Sequence, residues 1–244
     1  MKKTATICLL AALMLTSYVS AAPTRLVYSP EAGATWTIKS KTVAKVPVAG
    51  TKVIELSYDL ICDGASGDNF NMRLHVPPVT LDNGETMGPV DATFKLSPTG
   101  NVTGLMSPQM SDPQIGPILK NVGLLFPKLP GAAVNPGASW TSREVFYLPA
   151  ATKRMIRKRA PRTPDKVRLD AHFKFTKFDS QGAHISATLK NAPGEAIRVD
   201  FKGAGQHKVD RGYGTGASFG GHIKVRKLLM WITVPVNVSS WLVQ

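Results

Sequence analysis

The sequence predicts a mainly β protein with one main helix: a curved antiparallel sheet, or half-open barrel, covered by a helix near 113–126. Three observations predict it. Apolar residues alternate with period two in many short segments, the mark of strands with one wet face. Gly, Pro, Asn and Asp separate those segments at short intervals, as an antiparallel meander requires. One apolar stretch, "SDPQIGPILKNVGLLFPK", repeats at helical spacing instead.

The elements follow in order. "MKKTATICLLAALMLTSYVSAAPT" has the three parts of a secretory signal: Lys2 and Lys3, the apolar run Ile7 to Leu15, and the small-residue site Val19-Ser20-Ala21. The apolar run is shorter than the roughly 20 residues a spanning helix needs. Residues 1–21 therefore read as a signal peptide. They imply an exported protein, in the periplasm or on the outer surface of a bacterium. The rest, 22–244, reads as one β-rich domain. Cleavage removes Cys8 and leaves Cys62 alone, so no internal disulfide forms. Cys62 ends an apolar run and reads as a buried, inert thiol.

"TKVIELSYDLIC" (51–62) is a strand rich in β-branched and aromatic residues. "NFNMRLHV" (69–76) puts Phe70, Met72, Leu74 and Val76 on one face. "VDATFKL" (90–96) and "NVTGLM" (101–106) flank the turn Ser97-Pro98-Thr99-Gly100. In the helical stretch, Ser111 or Asp112 is the N-cap and Pro113 the first helical residue. Ile115, Ile118, Leu119, Val122 and Phe126 share a face. Gly116, Pro117 and Gly123 weaken and bend it.

"VRLDAHFKFTKF" (167–178) and "AHISATLK" (183–190) form a second hairpin. Val167, Leu169, Ala171, Phe173, Phe175 and Lys177 fall on one face by simple alternation. "AIRVDF", "QHKVD" and "ASFGGHIKVRK" continue the meander. The final "LLMWITVPVNVSSWLVQ" is too short and interrupted for a spanning helix and reads as a strand, with Pro235 at an edge or bulge.

"EAGATWTIKS" (31–40) and "NPGASWTSRE" (135–144) both contain Gly-Ala-(Ser/Thr)-Trp-Thr. Either two similar halves, 22–110 and 135–244, joined by a helix and loop, or a recurring turn that opens a strand explains both copies. The charge divides the chain differently. Residues 22–150 carry ten Lys/Arg and ten Asp/Glu; residues 151–244 carry eighteen and six. Lys153, Arg154, Arg157, Lys158, Arg159 and Arg162 concentrate the excess in one loop, where Pro161 and Pro164 oppose a long helix. Such a loop attracts an anionic membrane or cell-wall polymer, or serves only as a solvated face. It lacks interleaved aromatics, so no specific nucleic acid is indicated.

Other chemistry is not legible. His75, His172, His184, His207 and His222 read as wet strand-face residues with no tight ligand spacing, so neither a metal nor another cofactor is implied. "GYGTGASFGG" has neither the following helix of a nucleophile elbow nor the Lys-Ser/Thr of a phosphate loop. Its glycines suit a wide turn or a sharp bend in a curved sheet. No nucleophile–base or carboxylate pair stands out, which leaves a hydrolase or metal-binding protein as the least supported reading.

"FKLSPTGNVTG", the apolar helix and "LFPKLPGAAVNPGASW" together resemble an uncharacterised family of exported bacterial proteins. Gly100, Leu129, Pro130, Val134, Gly137 and Trp140 carry the likeness. The shape it implies is similar to the lipoprotein-carrier (LolA-like) fold, a half-open barrel around helices with an apolar cavity. The resemblance supplies no active-site residues. The expectation is a non-enzymatic protein that holds a lipid or other amphiphile between sheet and helix, through residues such as Ile118, Leu119, Val122 and Phe126. The alternative is a structural or adhesive envelope protein with a filled core.

Overall fold

The computed structural model describes residues 22–46, 50–80, 86–148, 164–191, 197–209, 213–227 and 230–243. The signal segment 1–21 and the six basic residues between 153 and 162 lie outside the described residues. The strands, in chain order, are β1 (Thr24–Arg25), β2 (Thr35–Val46), β3 (Gly50–Ser66), β4 (Asn69–Val76), β5 (Val79–Thr80), β6 (Thr86–Met87), β7 (Val90–Leu96) and β8 (Val102–Met106). After the covering segment come β9 (Ala133–Val134), β10 (Ser139–Tyr147), β11 (Lys166–Asp179), β12 (Gly182–Asn191), β13 (Ile197–Lys208), β14 (Tyr213–Lys227) and β15 (Met230–Val243).

Eleven strands form one antiparallel sheet in the order β10-β11-β12-β13-β14-β15-β2-β3-β4-β7-β8. It curves but does not close into a barrel. The C-terminal strand β15 joins the two runs of the meander by pairing with β2. β15 is thus internal, which corrects the edge placement expected of Pro235. β2 pairs only with Val236–Val243, so Pro235 sits one residue beyond that ladder while still facing His222 on β14.

Alternation decides which face is buried. On β7, Val90, Ala92, Phe94 and Leu96 are buried and the residues between them exposed. On β11, Val167, Leu169, Ala171, Phe173 and Phe175 are buried. Simple alternation would add Lys177, but a register shift between Phe175 and Lys177 turns the strand, and Lys177 is exposed. Cys62 is buried and free, as its apolar run implies.

The two Gly-Ala-(Ser/Thr)-Trp copies are built alike. Gly33 and Gly137 take φ of 82° and 97°, a left-handed conformation that glycine adopts without a Cβ clash. Gly33 N–H donates to Cys62 O at 2.7 Å, and Cys62 N–H to Ala34 O at 2.9 Å. Gly137 N–H donates to Phe175 O at 2.6 Å, and Phe175 N–H to Ala138 O at 2.9 Å. Each Trp is the second residue of its strand, and faces Leu60 or Phe173 two residues before the shared partner. A register shift follows directly in both neighbouring strands.

The covering segment leaves edge strand β8, crosses the concave face and enters edge strand β10. It holds the one main helix expected near 113–126, but that helix is short and is flanked by two tighter turns. A 3-10 turn (Pro108–Ser111), a five-residue helix α1 (Ile115–Leu119) and a second 3-10 turn (Val122–Leu125) follow one another. Asp112 is the cap: its Oδ1 accepts from the N–H groups of Gln114 (2.7 Å) and Ile115 (2.9 Å), which also hold its carboxyl below the usual range. Pro117, lacking an N–H, and the glycines at 116 and 123 prevent a long regular helix. Gly116 is needed for contact, since a Cβ there would lie 2.2 Å from Met110 O. Among the described residues no helix is long and apolar enough to cross a membrane.

Candidate functional site: a hollow on the concave face

Two segments seal one end of the concave face. Residues 22–34 insert Leu26 and Tyr28, both buried. The Tyr28 amide donates to Pro98 O at 2.8 Å, and its hydroxyl to Pro127 O at 3.1 Å. His207 on β13 donates from Nε2 to Val27 O at 2.9 Å and meets Tyr28 edge-on at 5.3 Å. Because a carbonyl can only accept, Nε2 carries the proton. His207 is 4% exposed. The wet placement expected of His207 is not found: alternation along β13 puts it on the same inner face as Ile197, Val199 and Gly205, where residues 22–34 cover it. Burial pushes its pKa down, and the Val27 carbonyl offsets part of this.

The covering segment seals the side towards β10. Trp140 Nε1 donates to Lys128 O at 2.6 Å, and its ring stacks on Phe173 at 5.7 Å. Asn121 grips the edge strand with both ends of its amide: Nδ2 donates to Tyr147 O at 2.9 Å, and Oδ1 accepts from Tyr147 N–H at 2.7 Å. The Lys128 ammonium donates to Gly100 O, and burial lowers its pKa while nearby Glu144 raises it.

Between cover and sheet lies a hollow of about 460 Å³. Its walls are mainly apolar: Trp36, Ile38, Leu60, Phe126, Leu129, Phe146, Phe173, Phe201 and Phe219. The register explains why it is empty. One transverse row across the sheet reads Ile185, Gly205, Ala217, Ser240, Ser40, Leu56. Four adjacent strands thus present two hydroxymethyls, a methyl and a hydrogen. No side chain in that stretch is long enough to reach the cover, so the space above stays unfilled. The glycine-rich "GYGTGASFGG" supplies part of this floor, alongside Gly205 of β13.

The residues expected to line a cavity separate. Phe126 lines the hollow. Leu119 and Val122 are buried in the core beneath the cover, and Ile118 is 46% exposed on its outside. Gly123, Leu124, Leu125, Pro127 and Leu129 line the hollow from the same segment. Sequence reasoning did not identify Tyr58, Ser40, Ser240, Gln206 or Thr215, whose common placement depends on strand register. Tyr58 is 8% exposed, and burial pushes its pKa up to about 12. Among the described residues, no three His, Cys, Asp or Glu side chains converge as metal ligands.

No protein-family model and no curated protein matches this chain. Among solved structures, a lipovitellin structure concerned with lipid–protein interactions matches with TM-score 0.52 and 8% identity. That match covers 89% of this chain and 25% of lipovitellin, so the chain spans about a quarter of that protein. A LolA superfamily protein from Nitrosomonas europaea matches with TM-score 0.23 and 9% identity over 89% of each chain. That superposition is too loose to transfer any residue. The fold of this chain is therefore similar to one part of lipovitellin.

Proposed function

We propose that this protein is an exported, non-enzymatic carrier or binding protein that holds an apolar or amphiphilic ligand in the hollow. The observation that carries the reading is the hollow itself. Its volume of about 460 Å³ falls within the roughly 300–1,000 Å³ of small-molecule sites. Its apolar walls favour hydrocarbon by about 25 cal/mol per Å² removed from water. The lipovitellin likeness, to a fold studied for its lipid contacts, is consistent with this reading.

The basic loop supplies the second part of the proposal. Lys153, Arg154, Arg157, Lys158, Arg159 and Arg162 would draw the protein to an anionic membrane, where a lipid ligand is exchanged. The loop joins β10 to β11 beyond the pair Tyr147–Lys166. The β2–β3 hairpin ends at the same end of the sheet, where Lys52, Val53 and Ile54 are exposed.

Two measurements test the binding reading. The protein is purified gently and weighed by native mass spectrometry, and the stripped protein is titrated with a fluorescent acyl probe. Bound lipid or saturable probe uptake is expected. A protein that carries no lipid and excludes the probe has a filled core, and the structural or adhesive alternative then stands.

A further inference from the structure

The walls of the hollow are apolar, but its floor is not. Tyr58 is more than nine-tenths buried, yet among the described residues its hydroxyl has no hydrogen-bond partner. Among the described residues no polar side-chain atom that is fully closed off lacks a partner, so the Tyr58 hydroxyl reaches open space, and the space its side chain lines is the hollow. Ser40 and Ser240 face each other across β2 and β15 on the same floor. Neither hydroxyl has a partner among the described residues. Tyr58 lies diagonal to Ser40, since Ser40 pairs with Leu56. Diagonal neighbours in a sheet are within reach of a long side chain. Three unpaired hydroxyls thus form a polar strip on an otherwise apolar surface.

A pure hydrocarbon would strip water from these hydroxyls and offer nothing in return, which costs free energy for each one. A carboxylate fares no better. Among the described residues no Lys or Arg lines the hollow, and the acidic group there is Glu144. An anionic head would be buried without a cation and beside a carboxyl group. Resting on the reading of the hollow as a ligand site, we infer that its ligand is an amphiphile with an uncharged hydrogen-bonding group, such as an ester or hydroxyl, seated on Tyr58, Ser40 and Ser240.

The test displaces a neutral apolar fluorophore, N-phenyl-1-naphthylamine, from the full chain at pH 8. The competitors are a monoacylglycerol, the fatty acid of the same chain length, and the matching hydrocarbon. The monoacylglycerol is expected to bind at least about tenfold tighter than the fatty acid. Tyr58→Phe, which keeps the ring, should weaken the monoacylglycerol about 3–10-fold relative to any change in its affinity for the fluorophore; Ser240→Ala should act in the same direction. Equal or tighter binding of the fatty acid overturns the inference. So does an unchanged monoacylglycerol affinity in both variants, while continued fluorophore binding leaves the cavity reading intact. If the fluorophore does not bind the wild-type protein at all, the cavity reading itself fails, and this inference with it.

Discussion

His207 and Val27 are joined by one hydrogen bond of 2.9 Å across 180 residues of sequence. That bond, with the edge contact to Tyr28, fastens the start of the described chain to β13 and closes one end of the hollow. The imidazole is neutral there, held so by burial. The sign of the pH effect follows. A histidine whose folded pKa lies below its unfolded value of about 6.5 binds protons more readily in the unfolded chain. Its contribution is fully present above about pH 6.5 and is lost as pH falls towards the folded pKa. Urea unfolding at pH 8 and pH 5 should show lower stability at pH 5. His207→Gln should flatten that part of the slope.

The grip of Asn121 on Tyr147 makes a second prediction. Asn121→Ala leaves the N–H and C=O of Tyr147 without this partner on a partly buried sheet edge. The expected cost is about 2 kcal/mol, two hydrogen bonds at about 1 kcal/mol each. Asn121→Asp should recover part of the loss at most, because a carboxylate accepts from the N–H but cannot donate to the carbonyl. Denaturant midpoints of the three proteins check the order.

Ala217 lies on the floor of the hollow beneath open space. Ala217→Leu should fill that space, abolish probe uptake and leave stability equal or raised by up to about 1 kcal/mol. A core that was already full would instead lose about 1–3 kcal/mol from overpacking. Parallel probe titration and urea melts separate these outcomes.

Replacing Lys153, Arg154, Arg157, Lys158, Arg159 and Arg162 with Ser should abolish binding to anionic vesicles at low salt without changing probe uptake. Sedimentation with vesicles at low and high ionic strength measures this. Vesicle binding that survives the substitutions would make the loop merely solubilising.

The two matching tryptophans should respond differently to Phe. Trp140 donates its indole N–H to Lys128 O, whereas among the described residues Trp36 has no partner at that nitrogen and meets the ring of Tyr213 at 5.0 Å. Trp140→Phe should therefore cost about 1 kcal/mol more than Trp36→Phe. Thermal or urea unfolding of the two variants decides it.

Local patterns made much of this fold readable from sequence. Alternation named the buried faces of β4 and β11, because each strand has one wet side. The Gly-Ala-(Ser/Thr)-Trp segments announced strand starts, since the positive φ at Gly33 and Gly137 is a local demand. The helix was harder. The spacing of Ile115, Leu119, Val122 and Phe126 is truly helical, but it is realised in short turns because Pro117 and two glycines interrupt the hydrogen-bond ladder. The hollow was not readable at all. Gly205, Ala217, Ser240 and Ser40 lie in four different strands, and only the register of the sheet brings them into one row. Tyr58 was hidden for the same reason: within "LSYDLI" nothing distinguishes its hydroxyl from an ordinary strand residue.

The cover begins at one rim of the sheet and ends at the other, which makes it a girth strap as well as a roof. The rims can part only as far as residues 107–138 allow, so the width of the hollow is limited by a length of chain and not by sheet stiffness alone. Three short helical turns in series give that strap slack which one rigid rod would lack.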